Sequence, residues 1–139
     1  MSVDSTGMAA RLGIKPGMVV QELGWDEDAD EDLRDAVIEA AGSDMVDEDT
    51  DEVADVVLLW WREDDGDLFD ALTETLSSLA DDGVVWLLVP KAGRPGHVDP
   101  GDVTEVAPTA GLSQTTSISA AKDWSGIRLV TPKAARSRR

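Results

Sequence analysis

The sequence predicts an α/β domain, a three-layer sandwich with a mainly parallel sheet of about six strands and the last strand antiparallel in a C-terminal hairpin. Three observations predict it. Two near-continuous apolar runs, 54–61 and 84–89, carry Val, Leu and Trp with little polar interruption, the pattern of strands covered on both faces. Segments of helical period alternate with strand-like ones, which implies right-handed crossovers between parallel strands. Near the end, Asp123-Trp124-Ser125-Gly126 is turn chemistry between two strand-like segments.

In chain order, residues 1–12 are polar and read as a flexible N-terminus, and Gly13-Ile14-Lys15-Pro16-Gly17 is a turn. Residues 18–23 read as the first strand. Leu33, Ala36, Val37, Ala40 and Ala41 recur at helical spacing and give a helix over 31–41, with Gly42 at its C-terminal cap. Residues 43–46 are a short edge strand. Asp67 is the N-cap of a second helix whose stripe is Phe69, Leu72, Leu76 and Leu79, ending at Asp82-Gly83. Asp99-Pro100 starts a short third helix, interrupted by Pro108 and Gly111. Residues 112–121 and 127–131 are the closing strands. The organisation is thus one α/β domain over 13–132 and a basic, disordered tail over 133–139.

Charge bounds the function. The 139 residues hold 12 basic and 29 acidic groups, a net charge of −17. Four of the basic groups fall in the last seven residues, so the body is more acidic still. Such a body repels nucleic acid and anionic membranes and attracts basic partners. Weak nucleic-acid binding is left to the tail, through Arg136, Arg138 and Arg139. With no cysteine there is no disulfide or thiolate chemistry. The first eleven residues lack the apolar core of a signal peptide and no apolar run spans a bilayer, so a cytoplasmic location is expected.

The chain resembles the bacterial family DUF3052. The resemblance is carried by Leu12-Gly13-Ile14-Lys15-Pro16-Gly17, the 54–61 strand, Gly83-Val84-Val85-Trp86 leading into Pro90-Lys91, and Asp123-Trp124-Ser125-Gly126. It implies no activity and no catalytic residues. More distantly, the layout is similar to a shortened class I methyltransferase, a Rossmann-like fold that also ends in a hairpin with an antiparallel last strand. That likeness would place a glycine-rich, S-adenosylmethionine-binding loop after the first strand. Leu23-Gly24-Trp25-Asp26-Glu27-Asp28 stands there instead, with one glycine.

In an open parallel sheet, ligands bind beyond the carboxyl ends of the strands. Acidic clusters follow the first three strands at 26–32, 47–52 and 63–67, and should share one rim. Phosphate cradles need glycines and open N–H groups, so anionic dinucleotides are disfavoured there. The bland account is a solvated face that offsets helix dipoles. Asp26, Asp28 and Asp30 have the first spacings of a calcium loop, but Glu31 stands where its glycine belongs and Val37 where its glutamate belongs, so no metal site is expected. Trp60 and Trp61 must face opposite sides of the sheet, and at least one should lie near the surface under the rim.

The candidate interaction rim is therefore Trp25, Asp26, Asp28, Trp61, Asp64 and Asp65. A candidate anion-binding loop holds Lys91, Arg94 and His97, for which internal ion pairing and plain surface are the bland accounts. The reading that follows is a non-catalytic regulatory or interaction domain that binds a basic protein, without a cofactor. The alternative is a small-molecule sensor or small enzyme with an altered pocket related to S-adenosylmethionine.

Overall fold

The computed structural model describes residues 10–50 and 52–131. They form an α/β fold with one mixed, five-stranded sheet and three helices. In chain order these are β1 (Val20–Leu23), α1 (Glu31–Ala41), β2 (Ala54–Trp60), a short 3-10 turn (Glu63–Asp65), α2 (Leu68–Leu76), β3 (Leu79–Pro90), α3 (Pro100–Thr109), β4 (Ser113–Ser119) and β5 (Trp124–Val130). The strand order is β1-β2-β3-β5-β4. β1, β2 and β3 are parallel, and β5 is antiparallel to both of its neighbours.

The closing hairpin is as expected, but the strand count falls from about six to five. The segment over 43–46 contributes only an isolated bridge from Val46 to Gln21, closed by Val46 N–H to Val20 O and Glu22 N–H to Val46 O. Only two of the four strand pairings are parallel.

Alternation along β2 divides the core between the two faces of the sheet. Val56, Leu58 and Trp60 join Leu33, Ala36 and Val37 of α1 in one cluster. Val57 and Leu59, followed by Trp61, join Leu72 of α2 and Val103 and Ala107 of α3 in the other. α1 keeps the expected bounds because its signals are local. The Asp30 carboxylate accepts from the Leu33 N–H, and Gly42 takes a left-handed cap. Leu12 belongs to the core and not to a loose terminus, since its carbonyl accepts the Trp86 indole N–H at 2.9 Å.

The second helix is shorter than predicted. It stops at Leu76, and the Thr75 and Ser77 hydroxyls bond back to carbonyls of the last turn. Leu79 leaves the helical stripe to pair with Ala54, and an irregularity before Val84 restores the register. Phe69, placed on the buried stripe by its spacing, is exposed. The third helix runs through Pro108, which has no N–H to give the carbonyl four residues back, and ends one residue later at Thr109.

Candidate functional site

The carboxyl ends of β1 and β2 are adjacent, since Leu23 pairs with Leu59. Gly24 therefore lies against the backbone of Trp60. A Cβ at position 24 would sit 2.3 Å from the Trp60 carbonyl oxygen, and Gly24 has φ +75°, so both space and backbone demand glycine.

Parallel strands end in outward-facing carbonyls, and one side chain gathers them here. The Arg62 guanidinium donates to the carbonyls of Gly24 (2.8 Å) and Trp60 (3.3 Å). It also donates through two nitrogens to Asp28, at 2.5 and 3.0 Å, and to Asp65 at 3.1 Å. Its carbon lies 5.3 Å from the centre of the Trp124 ring. Trp124 in turn meets Trp60 edge-to-face at 4.9 Å and donates its indole N–H to the Asp28 carbonyl. Only 12% of the Arg62 side chain is exposed. The bidentate fork and the two carbonyls use the geometry that separates arginine from lysine.

The electrostatics follow from these contacts. The hydrogen bond from Arg62 holds the Asp28 carboxyl below its ordinary value, outweighing partial burial. Burial opposes the charge on Arg62, yet bonds to Asp28 and Asp65 raise its pKa. A second arginine cluster supports α1. Arg34 grips Glu22 through two nitrogens at 2.6 and 2.8 Å and reaches Glu31, and these bonds raise its pKa. Glu22 also accepts the Trp60 indole N–H at 2.9 Å.

The predicted rim residues separate into two groups. Asp28 and Asp65 are committed to Arg62, while Asp26 and Asp64 are exposed. Trp25 is 49% exposed, with its indole N–H toward Glu31 and the Arg34 guanidinium 5.8 Å from its ring. Trp60 and Trp61 are both buried, and Trp61 still borders the groove at the rim. Trp124 seals the first face over Trp60, and Leu72 of α2 belongs to the cluster that buries Trp61. Beside the Arg62 cluster a groove of about 330 Å³ opens, lined by Leu23, Trp25, Trp61, Asp26, Glu48 and Glu74 among others.

The predicted anion loop follows β3 on the other side of Arg62. Its charges are engaged locally. Lys91 donates to the Ser119 hydroxyl at 2.6 Å, Arg94 pairs with Asp123 at 3.0 Å, and His97 Nδ1 donates to the Pro90 carbonyl at 2.9 Å. This loop packs on the arginine, since Gly96, at φ +82°, lies where a Cβ would be 3.0 Å from the Arg62 Cβ. The Gly96 carbonyl accepts the Glu63 N–H. Among the described residues, no group of three or more His, Asp or Glu side chains is placed to hold a metal ion. No helix among them is long and apolar enough to cross a membrane.

Arg62 itself escaped the sequence reading. One signal pointed to it: it is the only basic residue between Arg34 and Lys91, at a strand end, directly before Glu63-Asp64-Asp65. An isolated cation in so acidic a stretch marks a hub of ion pairs.

A family model described as a protein of unknown function (DUF3052) matches residues 9–133. The chain belongs to this family. Its relatives include the uncharacterized protein Rv2239c of Mycobacterium tuberculosis and the uncharacterized protein Mb2263c of Mycobacterium bovis. Each is 52% identical over 135 residues, which cover 97% of this chain and 85% of the relative. Among solved structures, the DUF3052 chain is similar to the pyocyanin biosynthetic protein PhzM, with TM-score 0.65 and 14% identity over 92% of the chain. It is also similar to a SAM-dependent methyltransferase from Aquifex aeolicus, with TM-score 0.62 and 13% identity over 91% of the chain and 88% of that structure. The chain spans about half the length of PhzM, 54%. At these identities the likeness is one of fold, so the DUF3052 chain has a methyltransferase-like, Rossmann-like architecture.

Proposed function

We propose that this DUF3052 protein is a non-catalytic interaction domain on a methyltransferase-like frame, and that its acidic rim binds a basic protein partner in a regulatory role. The observation that carries this reading is the Arg62 guanidinium, bonded to the carbonyls of Gly24 and Trp60 at the cleft where this frame would otherwise receive a ligand. A phosphate-bearing cofactor there would need free backbone donors and glycine-lined space. The rim offers instead strand-end carbonyls that already hold a cation, with carboxylates around them.

The surface left for binding is the groove beside Trp25. Asp26, Glu48 and Glu74 line it together with the exposed indole, and Arg62, which also borders it, is already paired with Asp28 and Asp65. An aromatic face among carboxylates suits an arginine or lysine side chain by cation–π and ion-pair attraction. Isothermal titration with an arginine-rich peptide tests this. Binding that weakens as salt rises, and by about tenfold or more in a triple Asp26→Asn, Glu48→Gln, Glu74→Gln variant, is expected. Absence of peptide binding at low salt overturns it.

A second reading, a sensor of a small molecule related to S-adenosylmethionine, rests on the same groove of about 330 Å³, a volume within the range of ligand pockets. Saturable heat with S-adenosylmethionine, and none with the peptide, would favour it over the first.

A further inference from the structure

The acidic rim lies at the carboxyl ends of β1 and β2, and the opposite pole of the sheet has the reverse chemistry. There a groove of about 400 Å³ is lined by Arg11, Lys15 and Arg128. Local structure holds the first two cations in place. The Trp86 indole N–H bonds the Leu12 carbonyl and the Gly17 N–H bonds the Ala41 carbonyl, so the 12–17 segment is tied down at both ends. Leu12 and Ile14 are buried while Arg11 and Lys15 are exposed, so the two cations point away from the core. Arg128 comes from β5. Its neighbours Ile127 and Leu129 belong to the cluster under α2 and α3, so Arg128 stands on the other face, where it pairs across the sheet with Trp86. The remaining wall is a bulge. Residues 80–83 of β3 stand opposite Asp55 alone, between the pairs Ala54–Leu79 and Val56–Val84, and Ala80 and Asp82 reach the groove.

We propose that this groove binds a small phosphorylated molecule that bears hydroxyl groups. The cations carry the first half of the argument. Arg34, Arg62 and Arg94 are each paired with carboxylates. Arg11, Lys15 and Arg128 form no ion pair among the described residues, and Arg128 gives one nitrogen to the Thr115 hydroxyl at 3.1 Å. Guanidinium forks and an ammonium are the groups that hold a phosphate. The carboxylates carry the second half. Asp55 and Asp82 share the groove, with Asp81 exposed beside the bulge. Asp55 already accepts the Val19 N–H at 2.9 Å, and Asp82 is also engaged. Among the lining residues cations outnumber carboxylates, the reverse of a chain of net charge −17. The mixture suits a ligand with one anionic end whose hydroxyls donate to the remaining carboxylate lone pairs, and it disfavours one that is anionic throughout. Leu12, Val56 and Val84 give the carbon skeleton an apolar floor, and the volume is within the range of small-molecule sites. A polyanion such as nucleic acid would also run along the acidic body, whereas a single phosphate feels chiefly the charges within a Debye length, about 8 Å at physiological ionic strength.

This site is independent of the basic partner proposed at the rim, since the two lie at opposite ends of the parallel strands and take ligands of opposite charge. The test is a titration of the full, isotope-labelled chain with inorganic phosphate, glycerol 3-phosphate and glycerol, followed by the NMR shifts of its amides and arginine Nε groups. Saturable shifts at Arg11, Gly13, Lys15 and Arg128 are expected with both phosphates and none with glycerol. Glycerol 3-phosphate should bind severalfold more tightly than phosphate, because only it offers hydroxyls to the carboxylates. An Arg11→Gln, Lys15→Gln variant changes two exposed residues without ion pairs, and should weaken binding by about tenfold or more with an unchanged circular dichroism spectrum. Arg128→Gln should weaken it likewise. Lys122→Gln removes an exposed cation at the far end of β5 and should leave the affinity as it is. The proposal is overturned by no saturable binding at millimolar phosphate, by shifts confined to residues 132–139, or by equal affinity for the two phosphates. Binding that survives in either groove variant, or an equal loss in Lys122→Gln, overturns it as well.

Discussion

The β1–β2 end of the sheet and its β4 edge solve opposite problems. At the first, carboxylates and carbonyls converge and would repel one another, and a single guanidinium makes their proximity tolerable. At the second, the strand's own side chains are uncharged, Lys91 and Arg128 donate to its hydroxyls, and no strand lies beyond it among the described residues. At the acidic end Arg62 ties Asp28, Asp65 and two carbonyls together and leaves a groove open beside Trp25, while the β4 edge has no such hub. The lesson is that charge density does not by itself mark the available surface. Asp28 and Asp65 are already held by Arg62, whereas Asp26 and Asp64 beside them are exposed.

The comparison is broken most severely at Trp124. Trp124→Ala removes the edge-to-face partner of Trp60, the ring beneath Arg62 and the indole bond to Asp28. A loss of about 3–5 kcal/mol in urea denaturation is expected, the cost of truncating a buried aromatic. Arg62→Ala comes next, at about 2–3 kcal/mol. It removes charge-assisted bonds and leaves two strand-end carbonyls without their donor, whereas Asp28 and Asp65 are exposed enough to be resolvated. Arg62→Lys should recover only part of this, since an ammonium cannot fork onto Asp28.

Acid provides a graded version of the same test. The Asp28 carboxyl is held below its ordinary value in the folded chain, so its stabilisation is complete above the unfolded pKa of about 4. That stabilisation is lost as pH falls through the folded value. Chemical denaturation at stepped pH should show a slope below about pH 4 that is shallower in Arg62→Ala. Smallest of all is Arg94→Ala. The Arg94–Asp123 pair is about half exposed on the arginine side, and its removal should change stability by no more than about 0.5 kcal/mol in the same assay. If Arg94→Ala costs as much as Arg62→Ala, the contrast between a buried hub and a surface pair fails.

What was legible in the sequence was whatever local signals decide. α1 could be placed from its stripe and its two caps, and the closing hairpin from its turn residues. The apolar run over 54–61 announced a strand covered on both faces, and Val56 to Trp60 are all buried. Where two elements compete for the same residues, the sequence was ambiguous. Leu76 and Leu79 fit a helical stripe, yet Leu79 gains more by pairing with Ala54, a choice that only the assembled sheet makes. Period-two alternation placed Trp60 and Trp61 on opposite faces, but it carries no information on what covers each face. Arg62 was hidden for a related reason. Asp28 lies 34 positions before it and Trp124 far after it, so its role exists only once the strands are in register.

The uneven distribution of tryptophan has a spectroscopic consequence. The chain has five tryptophans and no tyrosine, so its emission is essentially indole emission. Four of the indoles are buried, and Trp25 alone stands half in water beside the rim. A dissolved quencher therefore reaches one fluorophore, at the place where the potential is of interest. Relative to their action on free tryptophan, caesium should be favoured over iodide at Trp25, and the normalised ratio of the two would report the local field at the groove without a label, as well as the moment a cationic peptide displaces the ion.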